Sequence, residues 1–142
     1  MANVSSTITI NQSADKVFTY VVSVENHKAW QAAILDAKLT PPGPPALGSI
    51  YHYTTDVMGR KYESQMQISG FEPNKKWAVK TTGVPRPVET VYQFEPAGAG
   101  TKLTISMALA GGYPAAAEGM VKQQMQKSLD EQCHRIKQMV EK

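Results

Sequence analysis

The chain carries a single cysteine, Cys133, so no disulfide can form within it, and a reducing compartment is the simpler setting. A redox or nucleophilic thiol would need an activating neighbour. His134 is adjacent in sequence but points about 100° away around a helix, so Cys133 reads as a packed thiol on the border of an apolar face. Charge of one sign is also scarce: 15 basic against 12 acidic residues leave +3, with Lys75-Lys76 and Arg60-Lys61 as isolated pairs. No basic run is interleaved with aromatics, which speaks against nucleic acid as a partner. No stretch approaches the ~18–20 consecutive apolar residues of a membrane span. Met1 to Ser6 lacks the basic patch and apolar run of a secretory signal, so the expectation is a cytoplasmic protein. The three histidines, His27, His52 and His134, have no metal-ligand spacing to one another, to Cys133 or to acids, so neither a metal nor another cofactor is expected.

What is present is a set of strands followed by one long helix. From Val121 the apolar residues recur as Val121, Met125, Leu129, Ile136 and Val140, the spacing of one helical face, and the helix is predicted over Pro114 to Lys142. Ahead of it, Val4 to Ile10 is β-branched and reads as a strand. Ser13 then has the character of a helix N-cap without a completing acid, and Phe18, Val21 and Val22 fall at helical spacing. Asn26 is placed as the cap of a second short turn carrying Trp30. Ile34 to Thr40 is a strand with Leu35, Ala37 and Leu39 on one face. Pro41-Pro42-Gly43-Pro44-Pro45 forbids regular structure and makes a stiff loop. Alternation resumes in Tyr51/Tyr53/Thr55/Val57, in Tyr62/Ser64/Met66/Ile68 (closed by Gly70 and Pro73-Asn74), in Trp77/Val79/Thr81, in Val88/Thr90/Tyr92/Phe94 and in Leu103/Ile105/Met107/Leu109. Short turns separate these runs, and parallel pairing needs long crossovers, so the sheet is an antiparallel meander and the class is α+β. At 142 residues one domain, 1–142, is expected.

This order, with particular residues in place, resembles the START-like or SRPBCC superfamily, the polyketide cyclase/dehydrase and lipid-transport family. The matching stretches are Ser13-Ala14-Asp15-Lys16-Val17-Phe18, the segment ending in Trp30, Gly48, Gly70-Phe71-Glu72-Pro73-Asn74-Lys75-Lys76-Trp77 and Gly100-Thr101-Lys102-Leu103-Thr104. The resemblance implies a helix-grip fold: a curved antiparallel β-sheet wrapped around a long C-terminal α-helix, with two short helices between the first two strands. It also implies a cavity between sheet and helix. Members bind lipids, sterols, polyketides, hormones or quinones; some are cyclases or dehydratases and some are chaperone co-activators, so fold alone leaves function open.

If the apolar faces point inward, the cavity receives Tyr51, Tyr53, Tyr62, Met66, Trp77, Tyr92, Phe94 and Met107 from the strands and Val121 and Met125 from the helix. Tyr113, beside Gly111-Gly112 and Pro114, is placed to close over the opening, as is the loop Gly83-Val84-Pro85-Arg86-Pro87. Aromatic faces and thioethers suit an apolar body, and phenol hydroxyls suit a few polar groups. Tyr51, Tyr53 and Tyr92 are the expected orienting groups. His27 in a polar turn, His52 out of phase with its neighbouring tyrosines and His134 opposite the apolar stripe all read as surface residues. Glu118, inward in the first helical turn, is the one weak catalytic candidate. The leading reading is a non-enzymatic binder of a small hydrophobic or amphipathic molecule, acting as a monomer or weak homodimer. The alternatives are a cyclase/dehydratase-type enzyme using pocket tyrosines or Glu118, and a protein-interaction module of the co-activator type.

Overall fold

Alternating β-branched and aromatic residues produce seven strands among the described residues, which in this computed structural model are 3–31, 34–57, 59–82, 88–108 and 115–141. In chain order the elements are β1 (Asn3–Ile10), α1 (Ala14–Val22), a 3-10 turn (Val24–Asn26), α2 (His27–Trp30), β2 (Ile34–Thr40), β3 (Ile50–Val57), β4 (Arg60–Glu72), β5 (Lys76–Thr82), β6 (Glu89–Ala97), β7 (Gly100–Ala108) and α3 (Ala115–Val140). The strands form one antiparallel sheet in the order β1-β7-β6-β5-β4-β3-β2, with the helices on its concave face. The helix-grip architecture read from the sequence is the one observed.

Register decides which side chains meet. Across the inner face Ile105 pairs Tyr92, Tyr92 pairs Trp77 and Trp77 pairs Phe71, while Met107 pairs Thr90 and Met66 pairs Tyr51. Gly70 does not end β4 as expected. The strand runs on to Glu72 through a bulge between Ile68 and Gly70, where a Cβ would press on that of Ala78. A second irregularity overturns the expected face of Leu35. The register shifts between Ile34 and Asp36, which turns Ile34 inward (6% exposed) and leaves Leu35 45% exposed.

α3 buries Leu129, Cys133 and Ile136 against the sheet, and its polar flank closes the open edge of β1. Gln126 Nε2 donates to the Ser5 carbonyl at 2.7 Å, Lys137 Nζ to the Thr9 carbonyl at 2.8 Å, and the Asn11 amide donates to Glu141 at 2.9 Å. Ser6 Oγ donates to Asp130 at 2.6 Å. An edge strand otherwise presents unpaired backbone groups to other chains, so these side chains both orient the helix and protect the sheet. No helix among the described residues is long and apolar enough to cross a membrane.

Candidate functional site

The interior between sheet and helices divides into a packed aromatic cluster and an open cavity. In the cluster, Trp77 lies 4.6 Å from Tyr92, His27 lies 4.8 Å from Tyr51, and Tyr51 stacks on Tyr53 (ring centroids). Phe18 meets Phe94 edge-on, and Trp30 meets Tyr92 in the same way. His27 is at the centre, fully buried, which corrects the expectation of a surface residue. Its neighbours Glu25, Asn26 and Lys28 are polar, but the 3-10 turn folds the ring beneath α1. Its spacing of three from Trp30 was the available signal, since both side chains lie on the buried side of α2.

The hydrogen bonds of His27 fix its tautomer. Nε2 lies 2.9 Å from the Val21 carbonyl, which only accepts, so this nitrogen carries the proton. Nδ1 is then an acceptor, and the Tyr53 hydroxyl, 2.7 Å away, donates to it. Burial holds the imidazole pKa down to about 4, against a smaller opposing influence from the Val21 carbonyl. The Tyr51 hydroxyl donates to the Val22 carbonyl at 2.7 Å and the Tyr92 hydroxyl to Gln132 Oε1 at 3.2 Å. Burial is also the main cause raising all three phenol pKa values above the ordinary range. The three tyrosines expected to orient a ligand thus direct their protons to acceptors within the protein.

The cavity, about 330 Å³, opens between α3 and the β2–β4 end of the sheet. Trp30, Ile34, Tyr53 and Met66 give it an aromatic and aliphatic wall; Gln31, Thr55 and Ser64 add polar atoms from α2's end and from the sheet. α3 contributes Ser128, Glu131, Gln132 and Arg135. These four fall at i, i+3, i+4 and i+7, a polar helical stripe beside the buried Leu129, Cys133 and Ile136. Apolar spacing does not mark that stripe. Trp30 is fully buried, and its indole N–H has no acceptor among the described residues. A larger hollow of about 700 Å³ lies between α2 and α3 among Ala29, Lys127, Asp130, His134 and Gln138, and shares Glu131 and Arg135 with the cavity. It is lined by helix residues alone, whereas the smaller cavity also has the inner face of the sheet for a wall, so the cavity beside the sheet is the better site.

Of the remaining sequence-predicted residues, Trp77 and Phe94 are buried in the cluster, and Met107 and Met125 pack half-buried against the core. Tyr62 shares the inner face through its pairing with Thr55 but is 49% exposed, beyond the cavity wall. Tyr113 and the loop 83–87 lie outside the described residues, as do the side chains of Glu118 and Val121. Cys133 is buried and its thiol pKa is raised, chiefly by burial, as suits a packed rather than reactive sulfur. His134 stays exposed beside Gln138. Among the described residues no cluster of histidine, cysteine and acids is arranged to hold a metal.

The family model described as polyketide cyclase/dehydrase and lipid transport matches residues 1–141. Among solved structures, TTHA0849 from Thermus thermophilus superposes with a TM-score of 0.79 at 13% identity, over 98% of this chain and 97% of that one. A START superfamily protein from Mycobacterium smegmatis gives 0.78 at 17% identity, over 98% and 97%. The Zhui aromatase/cyclase from Streptomyces sp. R1128 gives 0.76 at 13% identity, over 99% and 93%. Identities this low speak for the shared fold alone. No curated protein matches the chain.

Proposed function

The chain belongs to the polyketide cyclase/dehydrase and lipid-transport family, and from that premise we propose that it binds one small amphipathic molecule in the cavity between α3 and the β2–β4 end of the sheet. The observation that carries this reading is the composition of the wall. Trp30, Ile34, Tyr53 and Met66 offer apolar contact to a ring or short chain, while the α3 stripe offers convergent polar groups on the opposite side. At about 330 Å³ the space suits a compact, mostly cyclic ligand rather than a long-chain lipid. Affinity comes from the apolar wall and orientation from the stripe. Native mass spectrometry of the purified protein, looking for a retained small molecule, tests the reading most directly. Ser64→Phe, which projects a ring into the space, abolishes retention while the far-ultraviolet spectrum stays that of the parent. Retention unchanged by Ser64→Phe would move the site elsewhere.

A cyclase-type activity has one observation on its side. Glu131 and Arg135 stand on the same wall, an acid–base group and a cation facing a space where a flexible substrate can be held folded. Glu131→Gln that leaves binding intact but stops turnover of a candidate substrate would favour this reading over simple binding.

A further inference from the structure

The two edges of the sheet are finished differently. Along β1, Gln126 and Lys137 of α3 donate to backbone carbonyls that would otherwise face solvent. β2, the opposite edge, has no such seal. Its backbone makes one hydrogen bond outside the β3 ladder, at its first residue, where the Ile34 amide donates to the Gln31 carbonyl at 3.1 Å. From Leu35 to Thr40 the backbone groups turned away from β3 have no partner among the described residues. Such an edge is a template for another strand. Its solvent face also carries a charge pattern. Asp36 and Lys38, two residues apart and exposed, share that face and stand in register with Thr54 and His52 of β3 rather than with an opposite charge. Neither belongs to an ion pair among the described residues. The bulge beside them leaves Leu35 45% exposed on the same edge.

We infer that β2 pairs antiparallel with β2 of a second copy about a two-fold axis at Ala37, which makes a weak homodimer with one continuous sheet. The pairing concerns the sheet edge and stands or falls independently of the cavity. In this register Asp36 lies opposite Lys38 of the second copy and Lys38 opposite its Asp36, so a single self-complementary contact contains two ion pairs. Sliding the strands by two residues in either direction sets Asp36 against Asp36 or Lys38 against Lys38, so charge selects the register. A lysine alone on an edge strand repels a second copy; the aspartate two positions before it removes that barrier. The pairing is short. The bulge at Leu35 interrupts it at one end and Pro41, which has no N–H, at the other. So few residues bury little area, which makes the dimer dependent on concentration rather than permanent.

Sedimentation equilibrium of the full chain is the test. Between roughly 10 μM and 1 mM the mean mass is expected to rise from that of one chain toward that of two, and to rise less in high salt. Lys38→Asp and Asp36→Lys each set like charges opposite one another at both pairs, and each should weaken association roughly tenfold or more. Both positions are exposed, so the far-ultraviolet spectrum and the unfolding midpoint stay near those of the parent. Mixing the two variants in equal amounts restores association, because an acidic edge then meets a basic one. The double exchange, Asp36→Lys with Lys38→Asp, restores it within a single chain. A merely local disturbance of β2 would give neither rescue. A mean mass of one chain at every concentration overturns the dimer. Association that survives the single reversals, or single reversals that the mixture and the double exchange fail to rescue, overturn the β2 pairing.

Discussion

The two ends of one helix–sheet interface are filled in opposite ways. Around His27 the fold closes: Tyr53 donates to the imidazole, the imidazole to Val21, Tyr51 to Val22, and stacked or edge-on rings fill the space between. Beside the α3 stripe it stays open, with Ser128, Glu131, Gln132 and Arg135 set against Ile34, Thr55, Ser64 and Met66 around a space of about 330 Å³. Satisfied polarity in a dry interior gives rigidity and a single arrangement, whereas polar side chains that line an open space stay available to a guest. Both kinds of environment are built from tyrosine and tryptophan. The difference lies in whether the rings pack on one another or leave a space beside α3, and composition alone does not reveal that.

The sharpest way to separate the two ends is to truncate a side chain in each. Trp77, 1% exposed, stands against Tyr51, Tyr92 and His27, and Trp77→Ala is expected to cost about 3–5 kcal/mol in urea unfolding. Ser128→Ala on the cavity wall should stay within about 0.5 kcal/mol, because the position is exposed. Comparable losses from the two would dissolve the distinction. Acid comes next. The imidazole of His27 titrates near 6.5 in an unfolded chain and at about 4 in the folded one, so between those values the unfolded state holds more protons. Stability is therefore complete above that window and falls as pH is lowered through it, by about 3 kcal/mol at its acid end. The groups facing the ring are the Tyr51 and Tyr53 phenols and the Trp30 and Trp77 indoles, none of which supplies a counter-charge. His27→Gln retains a donor for Val21 and an acceptor for Tyr53, and it should flatten the acid limb of denaturation curves taken from neutral pH downward.

The fold was readable because the residues that build it repeat. Period-two alternation marked β3 to β7, helical spacing marked α3, and the stretch from Gly70 to Trp77 carried the family resemblance. The cavity was less readable, for three separate reasons. A bulge at Leu35 exchanges its side chain with that of Ile34, and strict alternation has no means of announcing an extra residue. His27 is surrounded in sequence by Glu25, Asn26 and Lys28, yet burial depends on how a 3-10 turn packs beneath α1. The α3 residues facing the cavity are polar, so the apolar stripe that located the helix directed attention one strip away from Ser128, Glu131, Gln132 and Arg135. Direction of a hydrogen bond is likewise a tertiary property. Nothing in the order of residues says that Tyr53 donates to a histidine 26 positions earlier.

Tyr53 belongs to both ends, and its hydroxyl gives the smallest effect but the most discriminating one. The ring lines the cavity while the hydroxyl closes the network on His27. Tyr53→Phe keeps the ring and removes the donor, leaving a buried Nδ1 without a partner, so a loss of about 1–3 kcal/mol is expected in equilibrium unfolding at neutral pH. Ligand affinity should meanwhile change by less than about twofold, since the proton that is lost never pointed to a guest and the apolar wall is retained. Had Tyr53 instead been an orienting donor, as its position on the inner face invites one to think, the same substitution would leave stability nearly unchanged and weaken binding several-fold. Measuring unfolding and ligand titration on one preparation of this variant therefore decides whether the hydroxyl serves the closed end of the interface or the open one.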